Sequence, residues 1–237
     1  MKAAGRIVAE IIEGLRSLVV PGISTHELDR FAASEANKRG ARCAFRDYHK
    51  YPNSLCCSPN DQVVHGLANK NQLKSGDIIS LDFGVIYDDF YGDAAVTLPV
   101  GEITDEAERL LAVTEESLYC AIKKAIPGNR LGDISATVQA YVESRGYSVV
   151  RDFVGHGIGK KLHEDPQIPN YGTANKGIKL KSGMVLAIEP MINEKSHEVK
   201  VLSDNWTVVT CDGGLSAHFE HTVAITDNGP EILTQLR

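Results

Sequence analysis

The sequence predicts an α+β fold, with helices gathered on one face of a mostly antiparallel sheet and two halves of like pattern. Three observations carry that expectation. The order helix, helix, then strands runs twice along the chain. Two segments, Leu73-Lys74-Ser75-Gly76 to Asp82 and Leu180-Lys181-Ser182-Gly183 to Glu189, each lead from one turn through an apolar strand to a carboxylate. The punctuation also repeats: Pro21-Gly22 is followed by Gly40 and Pro127-Gly128 by Gly146 at the same offset, and His65-Gly66 has a counterpart in His156-Gly157. The 237 residues are expected to form a single catalytic domain, 1–237, with internal halves of approximately 1–103 and 104–237.

The first helix, 3–20, starts without an N-cap and ends at Pro21-Gly22. A second, about 25–39, opens on the capping box Ser24-x-x-Glu27 and closes at Gly40. Short β-branched strands follow at 63–65 and 78–85, and a turn at Tyr87-Asp88-Asp89 leads into a strand at 94–98. In the second half Thr104 caps a helix running to Ile126, and 131–145 has helical spacing before Gly146. Strands are expected at 148–154, 184–188, 198–201, 206–210 and 216–225.

A net charge of −6 argues against a nucleic-acid partner, whose phosphates call for a basic face. Five cysteines without a C-x-x-C spacing indicate neither a disulfide framework nor a zinc knuckle, so a reducing, cytoplasmic location is expected. No apolar run approaches the roughly 20 residues of a membrane span. The first helix carries Arg6, Glu10, Glu13 and Arg16, unlike a signal peptide.

Asp82 and Asp93 are separated by ten residues with a turn midway, which predicts two carboxylates opposite one another on one face of a hairpin. Cross-strand Cβ atoms sit about 5 Å apart, and two carboxylates that close repel unless a cation lies between them. Gly155-His156-Gly157-Ile158-Gly159 and His163 place imidazoles among glycines, where the backbone turns tightly and admits a ligand. Glu189 and Glu220 stand at otherwise apolar strand positions, which is costly unless they are paired or metal-bound. Asp88 and Asp89 read as turn residues. His26, His49, His197 and the Lys160-Lys161 pair read as solvated, Cys43 and Cys211 as packed or surface thiols, and His221 as either a sheet residue or one supporting the ligands from behind.

Asp82-x10-Asp93, His156 in Gly-His-Gly-Ile-Gly, Glu189 in Ile-Glu-Pro-Met and Glu220 in Phe-Glu-His-Thr closely resemble the metal-ligand set of type I methionine aminopeptidases, over nearly the whole chain. The resemblance implies the pita-bread fold and a site for two divalent metal ions, of which cobalt, manganese, iron and zinc all suit the donor set. Asp82 would chelate one ion, His156 and Glu189 would bind the other, and Asp93 and Glu220 would bridge both. Glu189 would also be the proton acceptor and donor. His65 and His163 would contact substrate without ligating metal. Tyr48, Tyr51, Cys56, Leu162 and Trp206 would line the pocket for a methionine side chain. Three residues depart from the usual pattern: Gln62 for an acid, Leu162 for Phe and His218 for Gln, and they bear on fine specificity.

The implied activity is removal of the initiator methionine from nascent proteins when the second residue is small. The substrate partner would be the N-terminal Met of a peptide or nascent protein, with the ribosome as a candidate partner, no membrane, no direct nucleic-acid site and a monomeric enzyme. An Xaa-Pro aminopeptidase or prolidase of the same fold normally carries a separate N-terminal domain. A non-catalytic binding protein would not need the intact ligand set.

Overall fold

In the computed structural model, which describes residues 1–236, the N-terminal half supplies helices α1 (Lys2–Leu18) and α2 (Thr25–Lys38). Strands β1 (Arg42–Cys43), β2 (Cys56–Pro59), β3 (Gln62–Val64), β4 (Ile78–Tyr87) and β5 (Phe90–Pro99) follow. The second half supplies α3 (Asp105–Ile122), α4 (Leu131–Glu143), β6 (Ser148–Val149), β7 (Gly155–Gly157), β8 (Glu164–Ile168) and β9 (Val185–Ile188). It closes with β10 (Met191–Asn193), β11 (Val199–Val201), β12 (Val208–Thr210), β13 (Ser216–His218), β14 (Glu220–Thr226) and β15 (Gly229–Ile232). The main sheet runs β1-β4-β5-β14-β9-β7-β8, with β2 added on β4 and β15 on β14. Its pairings are antiparallel. Two three-stranded sheets, β13-β10-β6 and β11-β12-β3, flank it.

The internal repeat is visible in the backbone. Gly22 and Gly128 both have φ 97°, and the pairs Gly40 and Gly146 and Gly76 and Gly183 share the left-handed region, which glycine enters without a Cβ penalty. Gly22 N donates to Leu73 O and Gly128 N to Leu180 O, so each helix pair is tied to its own Leu-Lys-Ser-Gly turn by the same bond. The N-termini match as well. Glu27 accepts from Ser24 N, and Asp133 accepts from Arg130 N.

Apolar helix faces meet the sheet in a core that includes Ile11, Leu15, Leu28, Leu81, Phe83, Leu110, Leu118 and Ile134, all essentially inaccessible to water. α1 packs on β4 and β5, and α3 on α4 and β13. α1 comes so close to β5 that a Cβ at Gly92 would lie 2.8 Å from Gly5 N. Any larger residue at Gly92 would push the helix off the strand that carries Asp93.

Several boundaries differ from expectation. α1 stops at Leu18 because Val19 is already extended (ψ 94°), and α3 stops at Ile122, where tighter bonds from Lys124 and Ala125 turn the chain toward Pro127. The strand expected over 148–154 is confined to Ser148–Val149. The strand expected over 216–225 is two strands that part at Phe219, β13 pairing with β10 and β14 with β5 and β9. β1, β2, β7, β8, β10 and β15 were not anticipated, and prolines at Pro59, Pro166 and Pro230 mask three of them. Among the described residues no helix is long and apolar enough to cross a membrane.

Candidate metal centre

Five consecutive strands of the main sheet, β4, β5, β14, β9 and β7, bring the five expected ligands to one place in that order: Asp82, Asp93, Glu220, Glu189 just beyond β9, and His156. The register explains the convergence. Glu220 pairs with Ala95, Ile188 with His221, and His156 with Ala187. The Asp82–Asp93 geometry corrects the expectation of directly opposed residues. Asp88 and Asp89, with φ of 49° and 63°, form the two-residue turn, so Asp82 pairs with Ala95 and Asp93 with Gly84. The two acids are diagonal neighbours on one face, still within reach of each other.

One ligand atom each from Asp93, His156 and Glu220 lies within 4.8 Å of the others. His156 Nε2 is 3.5 Å from Glu189 Oε1, and His218 Nε2 is 3.7 Å from Glu189 Oε2. The His156 Nδ1 faces the Gly157 carbonyl at 2.9 Å; a carbonyl only accepts, so the ring proton sits on Nδ1 and the Nε2 lone pair is free. Asp93 is held by its own backbone, whose N–H donates to Thr222 Oγ1 and whose carbonyl accepts from the same hydroxyl. Asp82 Oδ1, Asp93 Oδ1, Glu220 Oε1 and His218 Nε2 are buried without a hydrogen-bond partner among the described residues. Buried acceptors in that state are costly unless a cation completes them, so these side chains fit divalent metal.

Burial pushes the Asp82 carboxyl up to about 7 and holds Asp93, Glu189 and Glu220 well above the usual carboxylate range, with neighbouring acids adding to the last three. Burial also lowers His156 and His65 to about 4 and His218 to about 3, keeping these imidazoles neutral. Linkage turns these directions into a stability profile for metal-free protein. Raised carboxylates make the native state bind more protons than the unfolded chain, so stability falls as pH rises from the unfolded carboxylate range through the raised values. Depressed histidines act oppositely, but only below their unfolded value near 6.5. The unopposed window therefore opens near pH 6.5, and Asp82, raised to about 7, titrates within it. Metal-free protein is expected to lose about 5 °C or more of Tm across it, and metal-loaded protein to lose much less. Parallel curves in differential scanning calorimetry would contradict this.

All twelve residues named from sequence line one cavity of about 190 Å³: the five ligands, His65 and His163, and the walls Tyr48, Tyr51, Cys56, Leu162 and Trp206. Trp206 stands edge-on to Tyr51 at 5.1 Å, and Tyr51 donates to Gly66 O. Leu162, Cys56 and Phe45 belong to one apolar cluster with Ile158 and Ala187. His65 leaves β3 with φ 58°, its ring edge-on to Phe153 at 5.5 Å. Sequence reading missed Phe45 as a wall, because its loop has no periodicity. His49, expected to be merely solvated, is exposed but also borders the cavity, 4.4 Å from Tyr48. His218, noted only as a departure, is buried against Glu189. His221 lies on the far side of β14, bonded to Thr234 Oγ1.

The sequence profile of metallopeptidase family M24 matches residues 1–227. A methionine aminopeptidase of Clostridium perfringens is 55% identical over all of this chain and 95% of its own length, and methionine aminopeptidase 1 of Bacillus subtilis is 54% identical with the same coverage. The crystal structure of a methionine aminopeptidase from Thermotoga maritima superposes with a TM-score of 0.98 at 49% identity, covering 100% of this chain and 95% of that one. An Xaa-Pro dipeptidase of Bacillus anthracis shares the fold alone: TM-score 0.79, 22% identity, all of this chain but 59% of that one. With the pita-bread fold, the convergent acids and histidine, and a profile spanning nearly its full length, the chain belongs to metallopeptidase family M24.

Proposed function

We propose that the chain is a methionine aminopeptidase, a metal-dependent exopeptidase working as a single catalytic domain over residues 1–237. The observation that carries this reading is the joining of orphaned carboxylate oxygens and an apolar side-chain pocket in one cavity of about 190 Å³. A space that small takes one residue, not a length of chain. Its walls, Tyr51, Cys56, Leu162 and Trp206, suit an unbranched thioether.

Asp82, Asp93, His156, Glu189 and Glu220 are the residues that would hold two divalent ions, which when bound supply Lewis acidity to the scissile carbonyl and a water of lowered pKa. Glu189 stands at the edge of the ligand set, where it takes the proton of the attacking water and returns it to the leaving amine. His163 donates to the developing oxyanion, and His65, which lines the same cavity, orients the substrate. The physiological role is removal of initiator methionine from nascent proteins by a monomer in the cytoplasm, which makes the ribosome a partner.

The test offers Met-Ala-x and Xaa-Pro-x peptides side by side to enzyme reconstituted with manganese, iron or cobalt. Met release is expected at least about 100-fold faster in kcat/KM, because a misfit first or second residue forfeits both packing and alignment. Preferential cleavage of Xaa-Pro peptides would overturn the assignment.

A further inference from the structure

His156 and His163 meet edge to face with ring centroids 4.4 Å apart, yet only one of them is expected to ligate metal. Their Nδ1 partners account for the difference. At His156 the partner is the Gly157 carbonyl, which forces the proton onto Nδ1. At His163 the partner is the Tyr48 hydroxyl, 2.8 Å away, which can donate. Tyr48 and His163 come from separate segments of the chain, Tyr48 on the short helical turn Tyr48–Lys50 and His163 just before β8.

We propose that Tyr48, besides lining the side-chain pocket, is a positioning residue that donates its phenolic hydrogen to His163 Nδ1 and thereby fixes the proton of His163 on Nε2. A phenol is protonated and an imidazole largely neutral at neutral to mildly alkaline pH, so the hydroxyl is the competent donor and Nδ1 the acceptor. The remaining nitrogen of His163 is then an N–H donor without a lone pair for metal. Two adjacent imidazoles thus take opposite tautomers: His156 offers a lone pair and His163 a proton. The backbone that carries Tyr48 is held unusually, with left-handed φ at Asp47, His49 and Lys50 (67°, 49° and 74°). Such a conformation costs free energy at each non-glycine residue and persists only where surrounding structure demands it.

This inference rests on His163 being the oxyanion donor, and the two claims separate experimentally. Tyr48→Phe keeps the aromatic wall and removes only the hydroxyl. It is expected to lower kcat on a Met-Ala peptide about 10-fold, with KM within about two-fold and metal content unchanged. In a His163→Ala background the same change is expected to cost less than about two-fold, since the group it positions is gone. An equal loss of kcat in both backgrounds, or a loss confined to KM, would overturn the proposal for Tyr48. Full turnover of His163→Ala alone would instead overturn the oxyanion role. Nitrogen-15 NMR of histidine-labelled, zinc-reconstituted enzyme gives a readout independent of rate: protonated Nε2 at His163 in wild type and a tautomer mixture in Tyr48→Phe. Protonated Nδ1 in the wild type would sink the assignment.

Discussion

Asp93→Asn and Glu220→Gln are each expected to abolish turnover by emptying the metal site. Both side chains are almost wholly buried, 4% and 2% exposed, and both face His156 within a 4.8 Å cluster. Each leaves one carboxylate oxygen without a partner among the described residues, and a cation is what would complete it. The amide is isosteric but neutral, and half of it is an N–H donor that points the positive end of its dipole at the ion. Removal of a residue that merely supports a ligand costs about 10–100-fold in affinity or activity, so loss of a residue proposed to bridge both ions is expected to exceed that range. Elemental analysis beside a turnover assay reads both quantities. Chelation should silence the wild-type enzyme, and manganese, iron or cobalt should restore it. Full metal occupancy with normal turnover in the Asp93 variant would remove Asp93 from the ligand set.

His65→Ala and His163→Ala are expected to keep metal and still lose about 10²-fold or more in turnover, as follows when a transition-state donor or substrate-orienting group is deleted. The two imidazoles line the cavity from different loops, and burial keeps His65 neutral, with its value lowered to about 4. A neutral ring is a hydrogen-bond donor that does not repel the metal ions. Occupancy and rate should therefore part company in these variants, unlike in the Asp93 variant. If either histidine variant were as metal-depleted as Asp93→Asn, that histidine would be a ligand and the division of roles would be reversed.

Much of the site was legible in the amino-acid order because its chemistry is local. Ser24 and Glu27 form the capping box that their spacing predicts, and Thr104 caps α3 through Ala107 N. Paired glycines at Gly22 and Gly128 mark corresponding turns in the two halves, because only glycine enters that backbone region freely. Acids in apolar strands at Asp82, Asp93, Glu189 and Glu220 announce a metal because an unpaired buried carboxylate is otherwise too costly.

The tertiary structure decided what depends on non-local pairing. The turn at Asp88-Asp89 sets the hairpin register and moves Asp93 from opposite Asp82 to a diagonal position. The break at Phe219 sends one apparent strand into two sheets, placing His218 and Glu220 on different strands beside the same Glu189. Which nitrogen of each imidazole is free depends on what faces the other: Gly157 O one residue away for His156, Tyr48 OH from 115 residues away for His163. Backbone propensity and the cost of burial act over a few residues and can be read along the chain. Register, strand partners and tautomers are set by groups that become neighbours only when the sheet closes, and no local pattern encodes them.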